Sequence, residues 1–409
     1  MDASSHNKAP TVPATAAEMG IMAGCPPPPD KRPTLSNWDH APFNRWSFQH
    51  VRSLIPTVEV YRGSRPPAEL SMAPVDLSSV AFTTTQGEMT TLADFLVDSY
   101  SDGFLVLYDG SIVYEAYFNG MSQASLHLLQ SVSKSVAGAL CGTLVDRGML
   151  DPEAPLVTYV PELRNCGYAD ATVAHVLDMR SGVRFTEDYG ARASDITRMD
   201  VASGWRPGAA VGSDSTIRDL ILTLPKIRPH GGLFAYRSVE TDVLAWAMER
   251  AAGDALANLV SELLWQPLGA ERDAYYTVDS AGTALADGGF NATLRDMARF
   301  GEMMTQDGRA GGRQIVPLEW IARCRSGDPA VFGPPYTEVS PGGAYSTQWW
   351  VHRQSKGTIM ARGVFGQLVY SDPSEGLTVV NLSSWPDYLM PQFTLDTLIA
   401  IDAIRDALR

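Results

Sequence analysis

The sequence predicts an α+β fold, in which both ends of the chain build one sheet and a mainly helical subdomain is inserted between them. Strand-like runs rich in β-branched and aromatic residues flank Asp109-Gly110, and similar runs recur in the C-terminal quarter of the chain. The stretch between them has apolar residues at helical spacing instead. With 409 residues, of which 45% are hydrophobic, the chain can bury a large core.

Composition divides the chain into three parts. Residues 1–33 are rich in Ala, Ser and Pro, which predicts a flexible or wrapping N-terminal tail. Residues 34–130 and 300–409 are expected to form the sheet region, with strands at TQWWVHR, TIMARGVFGQLVYSD and LTVVNLSSW and a closing helix at TLDTLIAIDAIRDALR. Residues 131–299 are expected to hold one long helix and then the helical subdomain.

The charge and cysteine content exclude several classes of protein. The 32 Lys and Arg residues are outnumbered by 46 Asp and Glu, and this net charge of -14 argues against nucleic acid or a membrane surface as partner. The four cysteines form no CxxC pair and the seven histidines form no HxH or HxxxH pair, so we expect neither a metal nor another cofactor. The start of the chain lacks a secretion signal, which favours a soluble cytoplasmic protein.

Two local elements can be placed from the sequence alone. Asp109-Gly110 suits the type I′ turn of a β-hairpin. The segment SVSKSVAGALCGTLVDRGML follows, with apolar residues at every fourth position and Gly148 as a C-terminal cap, so we expect a buried helix.

Ser131 and Lys134 form an SxxK pattern at the start of that helix. Residues three apart share a helix face, so the amine can reach the hydroxyl, and the first turn offers backbone N–H groups to an oxyanion. Burial is expected to lower the pKa of Lys134 and let it act as a base. The pattern also fits a serine that caps the helix, followed by a solvated lysine. The small residues on the helix face favour the catalytic interpretation.

Tyr236 lies in the segment FAYRS, immediately before the predicted helix TDVLAWAMER. A phenol held near a cationic Lys134 could share the proton of Ser131. The alternative is a half-buried tyrosine with a hydrated hydroxyl.

These elements together resemble the superfamily of serine β-lactamases and penicillin-binding proteins, in its class-C-like branch, and especially the 6-aminohexanoate-dimer hydrolases. The resemblance covers nearly all of the chain after the tail, through NRWSF, LLQSVSKS, YVPEL, VLDMRSGV, TEDY, SGWR, TDVLAW, QWW and LSSWPD. It implies a β-lactamase-like fold, an antiparallel sheet flanked by helices beside an all-helical subdomain. It also implies that Ser131 is acylated while Lys134 and Tyr236 move protons.

The resemblance further implies a set of substrate-binding residues. Tyr189 matches a family tyrosine that hydrogen-bonds the amide nitrogen of the substrate. Asp200 matches an acidic position that favours the free amino end of the substrate, and Trp350 matches an aromatic wall of the pocket. Val364, in the expected strand GVFGQ, would supply the second oxyanion N–H. Alternatives stay open: Tyr189 could merely pack beneath a loop, Asp200 could cap a helix or be solvated, and Trp350 or its neighbour Trp349 must face the core.

Several positions depart from the family pattern. Phe365, also expected among the substrate-binding residues, replaces a histidine that is frequent there. This leaves no cationic or imidazole donor for a substrate carboxylate and argues against β-lactam chemistry. Asp287 stands where relatives have an uncharged or imidazole side chain. Lys356-Gly-Thr has the wrong order for an active-site motif and predicts a turn, and Tyr388 begins an apolar rim.

The leading hypothesis is therefore a serine hydrolase that cleaves a small linear amide or ester through an acyl-enzyme. Three acidic residues, Asp195, Asp200 and Asp287, would suit a substrate with a cationic amine. A carboxylesterase or weak β-lactamase on the same site is the alternative within enzymes. A non-catalytic binding or sensor protein with the same fold is the alternative from another class. A homodimer is possible.

Overall fold

The computed structural model describes residues 13–191, 194–208 and 214–409. The strands are β1 Thr57–Val60, β2 Ser71–Met72, β3 Ala81–Thr83, β4 Met89–Thr91, β5 Ser101–Tyr108, β6 Ser111–Tyr117, β7 His127–Leu128, β8 Ala274–Thr277, β9 Phe290–Ala292, β10 Arg309–Ala310, β11 Arg313–Gln314, β12 Ala344–Ser346, β13 Trp349–Arg353, β14 Thr358–Gly363, β15 Gln367–Asp372 and β16 Leu377–Ser383. The α-helices are α1 Asn44–Ser47, α2 Leu92–Asp98, α3 Val132–Asp146, α4 Val173–Leu177, α5 Asp195–Ala202, α6 Ile217–Thr223, α7 Val239–Ala252, α8 Leu256–Val260, α9 Gln266–Leu268, α10 Leu294–Thr305, α11 Leu318–Cys324, α12 Tyr336–Val339 and α13 Pro391–Leu408.

The main sheet has eight strands in the order β12-β13-β14-β15-β16-β5-β6-β2. Its strands come from both ends of the chain, which confirms the predicted α+β architecture. Strands β5 and β16 pair at its centre and are buried almost throughout, because α2 and α13 cover one face while α3 and α10 cover the other. The sheet therefore holds α3 in place by packing against it on one face.

The predicted hairpin and helix are both present. Asp109 and Gly110 have φ angles of 48° and 75°, as a type I′ turn requires, and they join β5 to β6. Helix α3 is buried along nearly its whole length, and Gly148 follows its end with a φ of 69°. The chain therefore enters and leaves this buried helix where the sequence indicates.

A network of buried charges ties the segment before α3 to the sheet. Asp102 on β5 accepts hydrogen bonds from Arg45, at 2.9 Å, and from Ser384, at 2.6 Å, and it lies 3.1 Å from Nε2 of His127. These partners belong to α1, the segment after β16, and β7. Since His127 is four residues before Ser131, the network anchors the backbone that carries the candidate nucleophile.

Two parts of the fold differ from the sequence prediction. The run 358–372, expected as one strand, is a hairpin in which β14 and β15 flank a 3-10 turn at Val364–Gly366, and Phe365 has a φ of 60°. A four-stranded sheet, β1-β8-β9-β7, was missed because its strands are two to four residues long and show no clear alternation. In the N-terminal tail, residues 1–12 lie outside the described residues, whereas the side chains of Ala16 and Ile21 are buried.

Helix α3 approaches the turn between β12 and β13 so closely that only glycine fits at position 138. A Cβ there would lie 2.4 Å from the carbonyl oxygen of Thr347. We expect Gly138→Ala to lower the free energy of unfolding by about 2 kcal/mol, because the helix must shift to relieve the clash. Urea denaturation measures the change. The control is Gly232→Ala, at a site with an ordinary φ where an added Cβ would come no closer than 3.8 Å to another atom. An equal loss in both variants would contradict this packing argument.

None of the helices within the described residues is both long enough and apolar enough to cross a bilayer.

Candidate active site

Ser131 lies immediately before α3, at the junction of the main sheet with the helical subdomain. Its hydroxyl makes no capping hydrogen bond to the helix, and Nζ of Lys134 lies 2.8 Å from its Oγ. Lys134 is only 1% exposed. The interpretation as a helix cap followed by a solvated lysine is therefore wrong, and the two side chains meet across a single helical turn.

The electrostatic surroundings of Lys134 differ from the sequence prediction. Its Nζ also donates to the carbonyl oxygen of Asp287, at 2.7 Å, and lies 3.5 Å from that residue's carboxylate. Burial alone would lower the pKa of Lys134. However, the phenol of Tyr236 and the carboxylates of Asp287 and Glu187 act in the opposite direction, and the pKa is raised above its ordinary value. Lys134 therefore rests as an ammonium ion, and the predicted lowering was wrong.

Tyr236 completes the cluster from the segment before α7. Its phenol interacts with the Ser131 hydroxyl and the Lys134 amine; burial raises its pKa, although both partners favour the phenolate. Nζ of Lys134 lies 5.2 Å from the centre of the Tyr236 ring. The structure thus brings Ser131, Lys134 and Tyr236 together, as the resemblance implied. An ammonium ion close to two hydroxyl groups lowers the cost of ionising either.

Two residues missed in the sequence hold Tyr236 and Lys134 in place. The hydroxyl of Tyr336 accepts a hydrogen bond from the Tyr236 backbone N–H at 2.9 Å. Asp242 on α7 accepts from the backbone N–H of Ala286 at 2.8 Å and so fixes the loop that carries Asp287. Tyr336 belongs to no recognisable motif, and Asp242 lies in TDVLAW without any role that the sequence alone indicates, so only the folded chain brings them near the site.

Two cavities meet at Ser131. The smaller is a recess of about 30 Å³, and among its walls are Asp39, Asp200 and Asp287. The larger, of about 430 Å³, is mostly apolar, and Tyr236, Trp350, Tyr336, Arg362 and Met390 contribute to its walls. Ser131, Tyr189, Val364 and Tyr388 line both. A substrate bound across Ser131 can therefore extend in two chemically different directions.

The small recess is acidic, with one arginine among its neighbours. Asp200 lies within α5, where Ser194 occupies the cap position, so Asp200 is not a helix cap. Nε of Arg206 lies 3.2 Å from its carboxylate. Burial raises the pKa of Asp200 to about 7, although Arg206 acts to lower it and Asp39 to raise it.

Asp195, the third acidic candidate, serves the structure instead. Its carboxylate accepts hydrogen bonds from the backbone and side chain of Thr186 and pairs with Arg198 at 2.8 Å. It is absent from the walls of both cavities. The suggestion that Asp195 meets a cationic substrate is therefore not supported.

The predicted aromatic contacts divide into two groups. Trp349 is fully buried in the core, whereas Trp350 lines the larger cavity and stacks on Tyr236 with ring centres 5.5 Å apart. Tyr189 lines both cavities, stacks on Tyr388 at 5.0 Å and donates to Glu187 at 2.8 Å.

Two expectations for the segment 356–365 are settled by its geometry. Phe365 is 1% exposed, packs against Phe48 at 5.1 Å and lines neither cavity, so its assignment as a substrate contact was wrong. The cause is the 3-10 turn, which directs the ring into the core while Val364 faces the site. Lys356 precedes a turn at Gly357, as predicted.

Arg362 is the most important residue that the sequence analysis missed. It lies on β14, one residue before Gly363, and lines the larger cavity with its guanidinium 5.1 Å from the centre of the Trp350 ring. Burial lowers its pKa to about 10, so it remains charged at neutral pH. The expectation that this strand offers no cationic donor is therefore wrong. A charged residue in the otherwise apolar run TIMARG was the available signal.

Within the described ranges, no three His, Cys, Asp or Glu side chains converge to hold a metal ion. A serine that bonds a buried lysine, next to a tyrosine in a cleft between a mixed sheet and a helical subdomain, defines a serine hydrolase with a β-lactamase-like fold. The chain belongs to the Beta-lactamase family, which matches residues 95–403.

Individual relatives agree with this assignment. The chain is 37% identical over 383 residues to the "6-aminohexanoate-dimer hydrolase" of Paenarthrobacter ureafaciens, covering 91% of this chain and 95% of that protein. It is 32% identical over 154 residues to "Esterase EstB" of Burkholderia gladioli, covering 36% and 38% of the two chains. Among solved structures, "Putative 6-aminohexanoate-dimer hydrolase from Bacillus anthracis" superposes with a TM-score of 0.85 at 29% identity, covering 93% of this chain and 98% of that one.

Proposed function

We propose that the protein hydrolyses a linear amide of an ω-amino acid through an acyl-enzyme on Ser131. The observation that carries this proposal is the distance of 2.8 Å between Nζ of a buried Lys134 and Oγ of Ser131. Such a contact stabilises a developing serine alkoxide, which a solvated lysine would not do.

The proposed reaction begins when the cluster of Lys134, Tyr236 and Ser131 loses one proton to water. Oγ of Ser131 then forms a bond to the substrate carbonyl carbon, and the carbonyl π electrons move to oxygen. Backbone N–H groups at Ser131 and Val364 are proposed to stabilise this oxyanion. When the carbonyl re-forms, the C–N bond breaks and the leaving nitrogen takes a proton from Tyr236, which Lys134 stabilises as a phenolate. Water cleaves the acyl ester by the same steps.

The two cavities favour a substrate that is cationic at its acyl end. Asp39, Asp200 and Asp287 give the small recess more negative than positive charge, because Arg206 pairs with Asp39 and Asp200 and Lys134 lies beside Asp287, so that two cations face three carboxylates. A recess of about 30 Å³ holds little more than an ammonium group or one or two water molecules. We therefore propose that a free amino end lies there, with the apolar chain leading back to Ser131.

The role of Asp200 predicts a pH-dependent preference for charged substrates. Because its pKa is about 7, Asp200 is mostly protonated below that pH and mostly charged above it. A substrate amine stays protonated throughout this range. We expect the ratio of kcat/KM for 6-aminohexanoyl p-nitroanilide over heptanoyl p-nitroanilide to rise by about 10-fold from pH 6 to pH 8.

Asp200→Asn is the matched variant for that measurement. It keeps the shape of the recess but cannot ionise, so its ratio should be low and independent of pH. Using a ratio cancels the pH dependence of the catalytic cluster, which both substrates share. A wild-type ratio that is flat, or that falls as pH rises, would contradict the proposed amine contact.

Ester hydrolysis is the second candidate function, and the partial match to an esterase favours it. Three substrates distinguish the candidates: the linear 6-aminohexanoate dimer, a p-nitrophenyl ester and a chromogenic cephalosporin. We expect the dimer and the ester to be hydrolysed and the cephalosporin to be the poorest. If the protein hydrolysed neither the ester nor the dimer, a non-catalytic binding protein would be favoured.

We propose a cytoplasmic location for the protein. In support, its four cysteines are free thiols, and Cys141 and Cys324 are buried, where burial raises their pKa and suppresses oxidation.

A further inference from the structure

We propose that Arg362 binds a carboxylate on the leaving group of the substrate, so that the enzyme selects amides whose released amine carries an acid at its far end. This inference rests on the proposed function, because it assigns the second half of the same substrate. It concerns the larger cavity, whereas the acidic recess accounts for the other end.

The position of Tyr236 decides which half of the substrate occupies the larger cavity. Tyr236 lines this cavity and is absent from the walls of the small recess. Since Tyr236 protonates the leaving nitrogen in the proposed reaction, the leaving group must lie on its side of Ser131. A cavity of about 430 Å³ with mostly apolar walls accommodates a chain of several methylene groups.

Arg362 is a cation without a partner in this cavity. Within the described residues it makes no salt bridge and no side-chain hydrogen bond, and its Nη1 is buried without any hydrogen-bond partner. The two acidic residues in the wall of this cavity, Glu187 and Glu338, do not pair with it. Both oxygens of Glu187 accept hydrogen bonds from Tyr189 and Ser238, and Glu338 is exposed to solvent.

Contact with Trp350 alone does not explain why Arg362 is half-buried here with one guanidinium nitrogen, Nη1, buried and unbonded. A cation over an aromatic ring gains modest energy, whereas a buried donor of a charged group that lacks a hydrogen bond costs free energy. A carboxylate would satisfy the open donors, and the planar fork of arginine can bind it through two parallel hydrogen bonds. The ring of Trp350 lies against both Arg362 and Tyr236, so it orients the guanidinium relative to the site of proton transfer.

The test compares the linear 6-aminohexanoate dimer with the same dimer capped as its primary carboxamide. Binding is measured by calorimetry with Ser131→Ala, which cannot turn the ligands over, and turnover is measured with the wild type. We expect the free acid to bind about 10- to 100-fold more tightly, a typical value for a hydrogen bond to a charged group. In Ser131→Ala/Arg362→Gln the two ligands should bind equally, and Ser131→Ala/Arg362→Lys should keep part of the preference.

Arg353→Gln is the control, because Arg353 carries the same charge on neighbouring β13 but pairs with Asp402 and lines neither cavity. It should keep the full preference for the acid. Equal binding of acid and carboxamide to Ser131→Ala, or a preference that survives Arg362→Gln, would overturn the assignment of Arg362. Absence of turnover with a clear binding preference would instead count against the proposed function and leave the carboxylate site in place.

Discussion

Replacing Ser131 with alanine is expected to lower kcat by about 10⁴-fold or more on amides and esters alike. The variant keeps Lys134 and Tyr236, but no oxygen remains to form the acyl ester, and only substrate binding and the oxyanion donors are left. Steady-state kinetics with a p-nitrophenyl ester measures the loss, because its release is detectable at very low rates.

Ser135→Ala is the matched control for this variant. Ser135 lies in the first turns of α3 and is also buried, but its hydroxyl donates to the carbonyl oxygen of Gln348 rather than to the site. Removing this hydroxyl should lower the free energy of unfolding by about 1 kcal/mol and change kcat by only a few-fold. If Ser131→Ala retained more than a few per cent of activity, a different nucleophile or direct attack by water would have to be considered.

Lys134→Met is expected to lower kcat by about 10³-fold, within the range for loss of a group that moves protons and stabilises charge. Methionine fills a similar volume but has no charge. The variant therefore removes the stabilisation of the Ser131 alkoxide and of the Tyr236 phenolate together. It also leaves Asp287 without its cation, so a lower melting temperature is expected as well.

Activity and stability have to be separated in that experiment. Activity measured well below the melting temperature of the variant reports on chemistry alone. Lys356→Met, which removes an exposed lysine paired with Glu375, should lower neither kcat nor the melting temperature. A folded Lys134→Met enzyme with activity within 10-fold of the wild type would mean that Lys134 serves only to balance buried charge.

The sequence predicts best what depends on neighbouring residues. The hairpin at Asp109-Gly110 and helix α3 follow from turn chemistry and apolar spacing, and both are present. The contact between Ser131 and Lys134 follows from helix geometry, since a spacing of three residues brings the side chains together. Tyr236 is separated from them by about a hundred residues, so its position rested on the resemblance to a family.

The electrostatics of the site could not be predicted because they depend on distant residues. The pKa of Lys134 is raised by Tyr236, Asp287 and Glu187, which come from separate parts of the chain, whereas only the effect of burial could be expected from the sequence. Phe365 and Arg362 illustrate the same point. One 3-10 turn sends the phenylalanine into the core, while the strand before it points the arginine into the cavity, and the sequence shows neither direction.

Mass analysis of the protein during turnover tests the covalent intermediate most directly. The enzyme is mixed with a p-nitrophenyl ester, quenched in acid within the first turnovers, digested and weighed peptide by peptide. The proposed mechanism predicts one acyl group on the peptide that contains Ser131, and none on that peptide in Ser131→Ala. Rapid ester hydrolysis with the Ser131 peptide unmodified at every quench time, or an acyl group on another residue, would contradict it.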